Sequence, residues 1–520
     1  MRPPGEGALD RGAVIMLKRF GPVLAGLVVV AALAIGVPSA TGHPEVCSTA
    51  AAWASMDGGY SPYASWQGAE EEKKATCASS GVTSRYDDSS AELGEGETGT
   101  AGLRLIASKP KTGPFAGEAP FNSDLAFENG YAYQGNYEGV SIWDVRDPQN
   151  PTLVNQIHCP GSQNDVTIND GILITSTDSR RTNDGCNSTA TSTPTAPTTW
   201  EGLKVWDVKD PTAPVLLKSV RTDCGSHTHT VLPEANRLLV YVQSYDVSGQ
   251  NYRCANTGPQ SHDKISIVEV PKANPAEAQV VNMPVLFPDG GNPGEPGGTQ
   301  RATTGCHDIT VYQRIGIAAG ACTGEGAIID IKDPVNPKVI ASVEDPNFAF
   351  WHSATISQDG KKVLFTDELG GGGQPTCNPT VGPTRGADAV YDITDPANPK
   401  FMSYFKIPRT QTNQENCVAH NGNAIPVPGR DILVQSWYQG GVSIVDWTDG
   451  TKIKELAWFD RGPVDESRLV LGGFWSSYYY NGFIYGSEIQ RGFDVFKATG
   501  SEFSGADRKK VGTLNAQTQF

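Results

Sequence analysis

One pattern restricts the fold of this chain more than any other: a short apolar β-rich run, an aspartate, an Asp-Pro turn and a second β-rich run. It recurs about every 50–60 residues, a period longer than a hairpin and shorter than a domain. Four copies are nearly identical: Ser141-Ile142-Trp143-Asp144-Val145-Arg146-Asp147-Pro148, Val205-Trp206-Asp207-Val208-Lys209-Asp210-Pro211, Ile329-Asp330-Ile331-Lys332-Asp333-Pro334 and Tyr391-Asp392-Ile393-Thr394-Asp395-Pro396. Degenerate copies lie at 265–270, 442–447 and 493–496, which makes seven. A single copy cannot bury its own apolar face, so the copies must stack. About 40–50 residues of β pattern per copy suit one four-stranded propeller blade.

The expected fold is therefore all-β, a seven-bladed β-propeller of four-stranded blades. In the first blade the alternation of apolar and polar residues predicts strands at Ser123–Phe127, Tyr131–Gly135, Val140–Val145 and Thr152–His158. The Asp-Pro turn joins the third strand to the fourth: proline presets φ, and the aspartate accepts backbone N–H bonds inside the turn. A second proline, at 151, 214, 337 and 399, opens the outer strand, where its missing N–H faces solvent. The seventh copy lacks an outer strand of its own. Leu103–Ser108 reads like the outer strands Val215–Lys218 and Val339–Ser342, so an N-terminal strand is expected to close the ring. Closure by Val511–Leu514 is the alternative, and a pair of β-sandwich domains is the competing fold.

Residues 1–42 read as a leader and secretory signal peptide. Lys18 and Arg19 precede the apolar run Val23–Val37, and Pro38, Ser39 and Ala40 follow it. The run is shorter than the roughly 20 residues of a membrane-spanning helix. Residues 43–100 form an N-terminal extension ending in an acidic linker, 101–497 the propeller and 498–520 a tail. The expected location is extracellular or in the cell envelope, with no membrane span after signal cleavage. A formal net charge of −16 and the lack of a basic stripe argue against nucleic acid as a partner.

The copies Gly139-Val140-Ser141-Ile142-Trp143-Asp144-Val145 and Gly441-Val442-Ser443-Ile444-Val445-Asp446, with the turns after them, resemble the LVIVD-repeat family of exported bacterial β-propellers. The resemblance spans residues 101–497. It implies the fold and export, and implies no particular activity.

Ten cysteines in an exported chain, with no Cys-x-x-Cys, point to disulfides. Spacing alone leaves the connectivity open. On the strand assignment above, eight of them fall on one face of the disc. Sequential pairing, Cys47–Cys77, Cys159–Cys186, Cys224–Cys254, Cys306–Cys322 and Cys377–Cys417, then needs no bridge across it. That face also carries the long insertions Ser179–Thr199, Ser248–Asp263, Pro288–Thr304 and Leu369–Gly386.

Aligning the starts of the seven innermost strands gives Ser123, Asn164, His227, His307, His352, His420 and Ser476. Four consecutive blades thus place a histidine at one position near the channel mouth, from only eight in the chain. Imidazoles held on a rigid ring suit copper or zinc. His229, Asp308, Asp367, Glu368 and Glu488 are candidates to orient them. In this respect the chain resembles the selenium-binding protein and methanethiol oxidase propellers, with no motif to map residue by residue. Two functions compete. One is a binding scaffold for an extracellular protein, peptide, sugar or small-molecule ligand, its histidines tied up in structural hydrogen bonds. The other is an exported metal-dependent oxidoreductase or hydrolase built on the histidine cluster.

Overall fold

The computed structural model describes residues 93–94, 96–191, 199–243, 263–295 and 298–519. Among them the chain is all-β, its helical content limited to three-residue 3₁₀ turns, and no helix is long and apolar enough to cross a membrane. The expected signal peptide, most of residues 43–100 and the pair Cys47–Cys77 lie outside the described residues.

The first repeat forms antiparallel strands Asn122–Glu128, Tyr131–Asn136, Gly139–Asp144 and Thr152–His158, paired in sequence order. Each lies within a residue of its expected bounds. Asp147 accepts the N–H of Gln149 and the side-chain amide of Asn150, and Asp333 and Asp395 act in the same way in later copies of the turn. Gly139 opens the third strand at φ +147°, where a Cβ would stand 1.8 Å from the carbonyl oxygen of Ile157. Gly441 repeats this constraint against Phe459. The repeated glycine is thus required by the close approach of the outer strand.

The same four-strand order recurs in units whose first strands are Asn122–Glu128, Val166–Asn169, Thr228–Pro233, Asp308–Tyr312, Trp351–Ile356, Asn421–Ile425 and Phe474–Tyr480. The last two units share one nine-stranded sheet, because their first strands pair in parallel at Asn421↔Ser476 and Gly422↔Ser477. Each first strand packs on the next, and Phe474–Tyr480 packs back on Asn122–Glu128, so the series closes on itself. The core lies between neighbouring units. Leu232, Tyr241 and Ile267 of one unit pack with Ile309, Val311 and Ile329 of the next, all at most 1% exposed. At about 1.5–3 kcal/mol for each such side chain, the stacking of units is the main source of stability.

Leu103–Lys109 pairs antiparallel with Gly492–Ala498 and supplies the outer strand that the seventh repeat lacks. The C-terminal segment goes elsewhere. Thr513–Asn515 pairs with the inner edge of Asn122–Glu128, and Thr518–Gln519 runs parallel to Asp308–Tyr312. The alternative of an outer strand at Val511–Leu514 is therefore replaced by a tail threaded among the first strands. Its buried Asn515 bonds the backbone of Ile168 at 2.8 and 2.9 Å, and Thr518 donates to Val231.

Three of the expected disulfides form, Cys159–Cys186, Cys306–Cys322 and Cys377–Cys417. Cys224 is disulfide-bonded as well, and Cys254, its expected partner, lies outside the described residues. Disulfides of this number fit an oxidising, non-cytoplasmic compartment.

Candidate metal centre

Repetition of the fold repeats one backbone bond beside each histidine. The N–H groups of His227, His307 and His420 donate to the carbonyls of Gln243, Ala321 and Ser436, each on the second strand of its own unit. His352 is carried on Trp351–Ile356. The Cys306–Cys322 bridge fixes the residue before His307. The four side chains meet in one place, where the residues are at most 4% exposed. Their rings follow one another at centroid separations of 4.6, 3.9 and 4.3 Å in chain order.

The protons on these rings can be assigned from their partners. Nδ1 of His227 stands 2.6 Å from an Asp178 carboxylate oxygen, and Nδ1 of His307 stands 3.0 Å from Asp308. Nδ1 of His420 meets the carbonyl oxygen of Trp475. Carboxylate and carbonyl oxygens accept, so all three Nδ1 atoms donate outward and each Nε2 keeps its lone pair. Two of those lone pairs then face each other, with Nε2 of His227 2.9 Å from Nε2 of His307. Such a contact is repulsive unless a proton is shared between the two atoms or another cation lies beside both. Nδ1 of His352 is buried and has no hydrogen-bond partner.

Glu368 completes the cluster. Its carboxylate lies 3.8 Å from Nε2 of His352 and 3.6 Å from Nε2 of His420, and it accepts a 2.6 Å bond from the Tyr438 hydroxyl. One ligand atom from each of His307, His352 and Glu368 can be chosen so that all lie within 4.8 Å of one another. Burial dominates the electrostatics. It pushes the Glu368 carboxyl up to about 8, holds His420 down to about 3, and lowers His307 and, further, His352. These imidazoles are neutral donors at physiological pH, in a pocket that resists a bare carboxylate.

The other sequence-predicted residues separate into two groups. Asp308 joins the cluster through His307. His229 points away, bonded by Thr167 at 2.7 Å and Ser176 at 2.8 Å. Asp367 accepts the backbone N–H groups of Ala349, Phe350 and Gly386, and Glu488 accepts those of Gly473 and Gln490. Both acids anchor loops and touch none of the four histidines. Sequence reasoning missed Asp178, which lies within the polar run Thr175–Arg181 of the strand Ile172–Arg181, and the backbone carbonyl of Trp475, which no side-chain pattern reveals.

A cleft of about 230 Å³ opens onto the cluster, with Tyr137, Phe350, Tyr438 and Trp475 among its walls. The glycine run 370–373 borders it for a steric reason. A Cβ on Gly372, which sits at φ +68°, would lie 2.3 Å from the Tyr438 hydroxyl and 2.8 Å from Glu368.

No family model matches this chain, and no curated protein sequence matches it. Solved structures do match in shape. A protein of unknown function from Desulfotomaculum acetoxidans is 12% identical over 64% of this chain and 84% of its own, with a TM-score of 0.38. Hydrazine synthase from Kuenenia stuttgartiensis is 10% identical over 72% of this chain and 95% of its own, with a TM-score of 0.45. Sqt1 of Saccharomyces cerevisiae is 8% identical over 73% and 83%, with a TM-score of 0.43. Likeness at this level carries no argument about activity, and the reading of the site rests on its own geometry.

Proposed function

We propose that this protein is an exported seven-bladed β-propeller of the LVIVD-repeat kind, acting as a metal-dependent enzyme on a small substrate. In this reading His307, His352 and Glu368 hold a transition-metal ion, zinc or copper, with His227, beside His307, as a further donor and His420 flanking them. The observation that carries it is the outward donation of three Nδ1–H groups, which leaves Nε2 lone pairs turned inward. Metal-bound histidines are held in this way by carboxylates and carbonyls, which fix the tautomer and raise donor strength. The donor set fits: neutral imidazoles with one carboxylate suit zinc and copper. Two nitrogens about 2.0–2.1 Å from one ion stand roughly 2.9–3.4 Å apart between a right and a tetrahedral angle. The 2.9 Å between His227 and His307 lies at the right-angle end.

When bound, such an ion supplies Lewis acidity or, for copper, electron transfer. The protein's own residues do the rest. Asp178, Asp308 and the Trp475 carbonyl orient the rings, Tyr438 holds Glu368, and the aromatic walls exclude water from one side of the substrate. The second reading, a metal-free binding scaffold, draws on those same aromatic walls.

The test is elemental analysis of protein purified from an exporting host, beside the His307→Ala/His352→Ala double variant. Near-stoichiometric copper or zinc in the wild type, absent from the folded variant, supports the enzyme. A metal-free wild type returns the cluster to a structural role and the protein to a scaffold.

A further inference from the structure

The metal reading leaves one cleft residue without a task. Arg301 borders the cleft and is the only lysine or arginine that does so among the described residues. It lies at the end of the insertion Pro288–Thr304, with its backbone N–H on the carbonyl of Ala349 at 3.1 Å. Its guanidinium sits over the ring of Phe350, 4.6 Å from the centroid. Among the described residues no side chain or carbonyl bonds that guanidinium, and Arg301 is exposed. A cation–π contact therefore holds the guanidinium at the rim, within electrostatic reach of the Glu368 carboxyl and with its fork of N–H donors unbonded.

The cleft also has a continuous aromatic wall. Phe121 and Tyr137 meet edge to face at 5.2 Å, Tyr137 and Trp475 at 6.3 Å, and Trp475 reaches His420 at 5.3 Å. The volume, about 230 Å³, exceeds the roughly 150 Å³ that accommodates a benzene ring in an apolar cavity. The room left over suits a short charged substituent. A phosphate finds less here: the N–H groups of Gly371 and Gly373 are turned into their own turn, onto Glu368 and Gly370, so they build no anion cradle.

We infer that the cleft binds an aryl carboxylate, its ring against Trp475 and Tyr137 and its carboxylate on the Arg301 fork. This rests on the cleft being the substrate site of the proposed function, but its own binding needs no metal. Charge-assisted bidentate pairing makes the acid bind roughly tenfold to hundredfold more tightly than its neutral amide.

The experiment is calorimetric titration of phenylacetate and phenylacetamide into chelator-treated protein, so that no ion can hold the carboxylate. The same titrations are run on Arg301→Gln and Trp475→Ala. Wild-type protein should prefer phenylacetate by at least about tenfold. Arg301→Gln, at an exposed position, should lose that preference and keep its affinity for the amide, while Trp475→Ala should weaken both ligands. Equal affinity for acid and amide, no saturable binding of phenylacetate, or a preference that survives in Arg301→Gln would overturn the inference. Metal analysis separates the two proposals: a metal-free protein that still prefers phenylacetate through Arg301 retains this site and loses the metal.

Discussion

Removing the acceptor behind His227 tests the tautomer argument without touching any proposed ligand. Asp178 and His227 are both about 95% buried at their side chains, since 6% and 5% remain exposed, and their bond is 2.6 Å long. Asp178→Ala removes the carboxylate that holds the proton on Nδ1. The proton redistributes to Nε2, where it competes with a metal, and the ring is freer to turn. Loss of a partner of this kind lowers metal affinity by about 10–100-fold, which is about 1.4–2.8 kcal/mol. Asp178→Asn keeps an amide oxygen that can accept from Nδ1 and should lose less than the alanine variant. The assay is competition for zinc against a chromophoric chelator, with thermal melting in parallel. If Asp178 only fills space, both variants lower the melting temperature and leave zinc affinity unchanged; that outcome refutes the reasoning.

Three further outcomes follow from the fold. Cys377→Ser/Cys417→Ser opens a loop of 40 residues beside the strand entry at His420, and chain entropy puts the loss near 4 kcal/mol in non-reducing denaturant unfolding; a loss under about 1 kcal/mol counts against the bridge as a staple. Burial first, then the Asp308 charge, raises the Asp165 carboxyl from 3.8 to about 8, so in that range the folded state holds more protons than the unfolded one and stability from this group falls as pH rises. Asp165→Asn lacks that loss, and its melting temperature relative to wild type should climb between about pH 4 and pH 8; a flat difference contradicts the assignment. Truncation before Val511 removes the bonds that Asn515, Thr518 and Gln519 make to Ile168, Val231 and Ile356. At about 1–3 kcal/mol for each buried group left unsatisfied, it should destabilise the whole chain in urea unfolding; unchanged stability would show the tail to be dispensable.

How much of this was legible in the sequence follows the range of the interactions. Strands and turns of the first repeat were readable almost to the residue, because alternation and the Asp-Pro turn are local signals repeated in register. The histidines were readable for the same reason: aligned strand starts place His227, His307, His352 and His420 at equivalent backbone positions. Direction was not readable. Asp367 and Glu368 are neighbours of one chemical type, yet the first takes three backbone N–H groups and the second enters the cluster. His229, two residues past His227 and inside the strand Thr228–Pro233 that His227 precedes, is drawn off by Thr167 and Ser176, partners that lie some 50–60 residues away in sequence. The tail was illegible because its pairing with Asn122–Glu128 spans nearly the whole chain and carries no period.

The most direct test of the central claim is metal K-edge X-ray absorption on protein carrying the ion it acquires during export. The account predicts a first shell of nitrogen and oxygen at about 2.0–2.2 Å, imidazole scattering beyond it, and no sulfur. It also predicts that this imidazole signal weakens in His352→Ala. A sulfur shell near 2.3 Å, or protein that retains no metal at all, would contradict it.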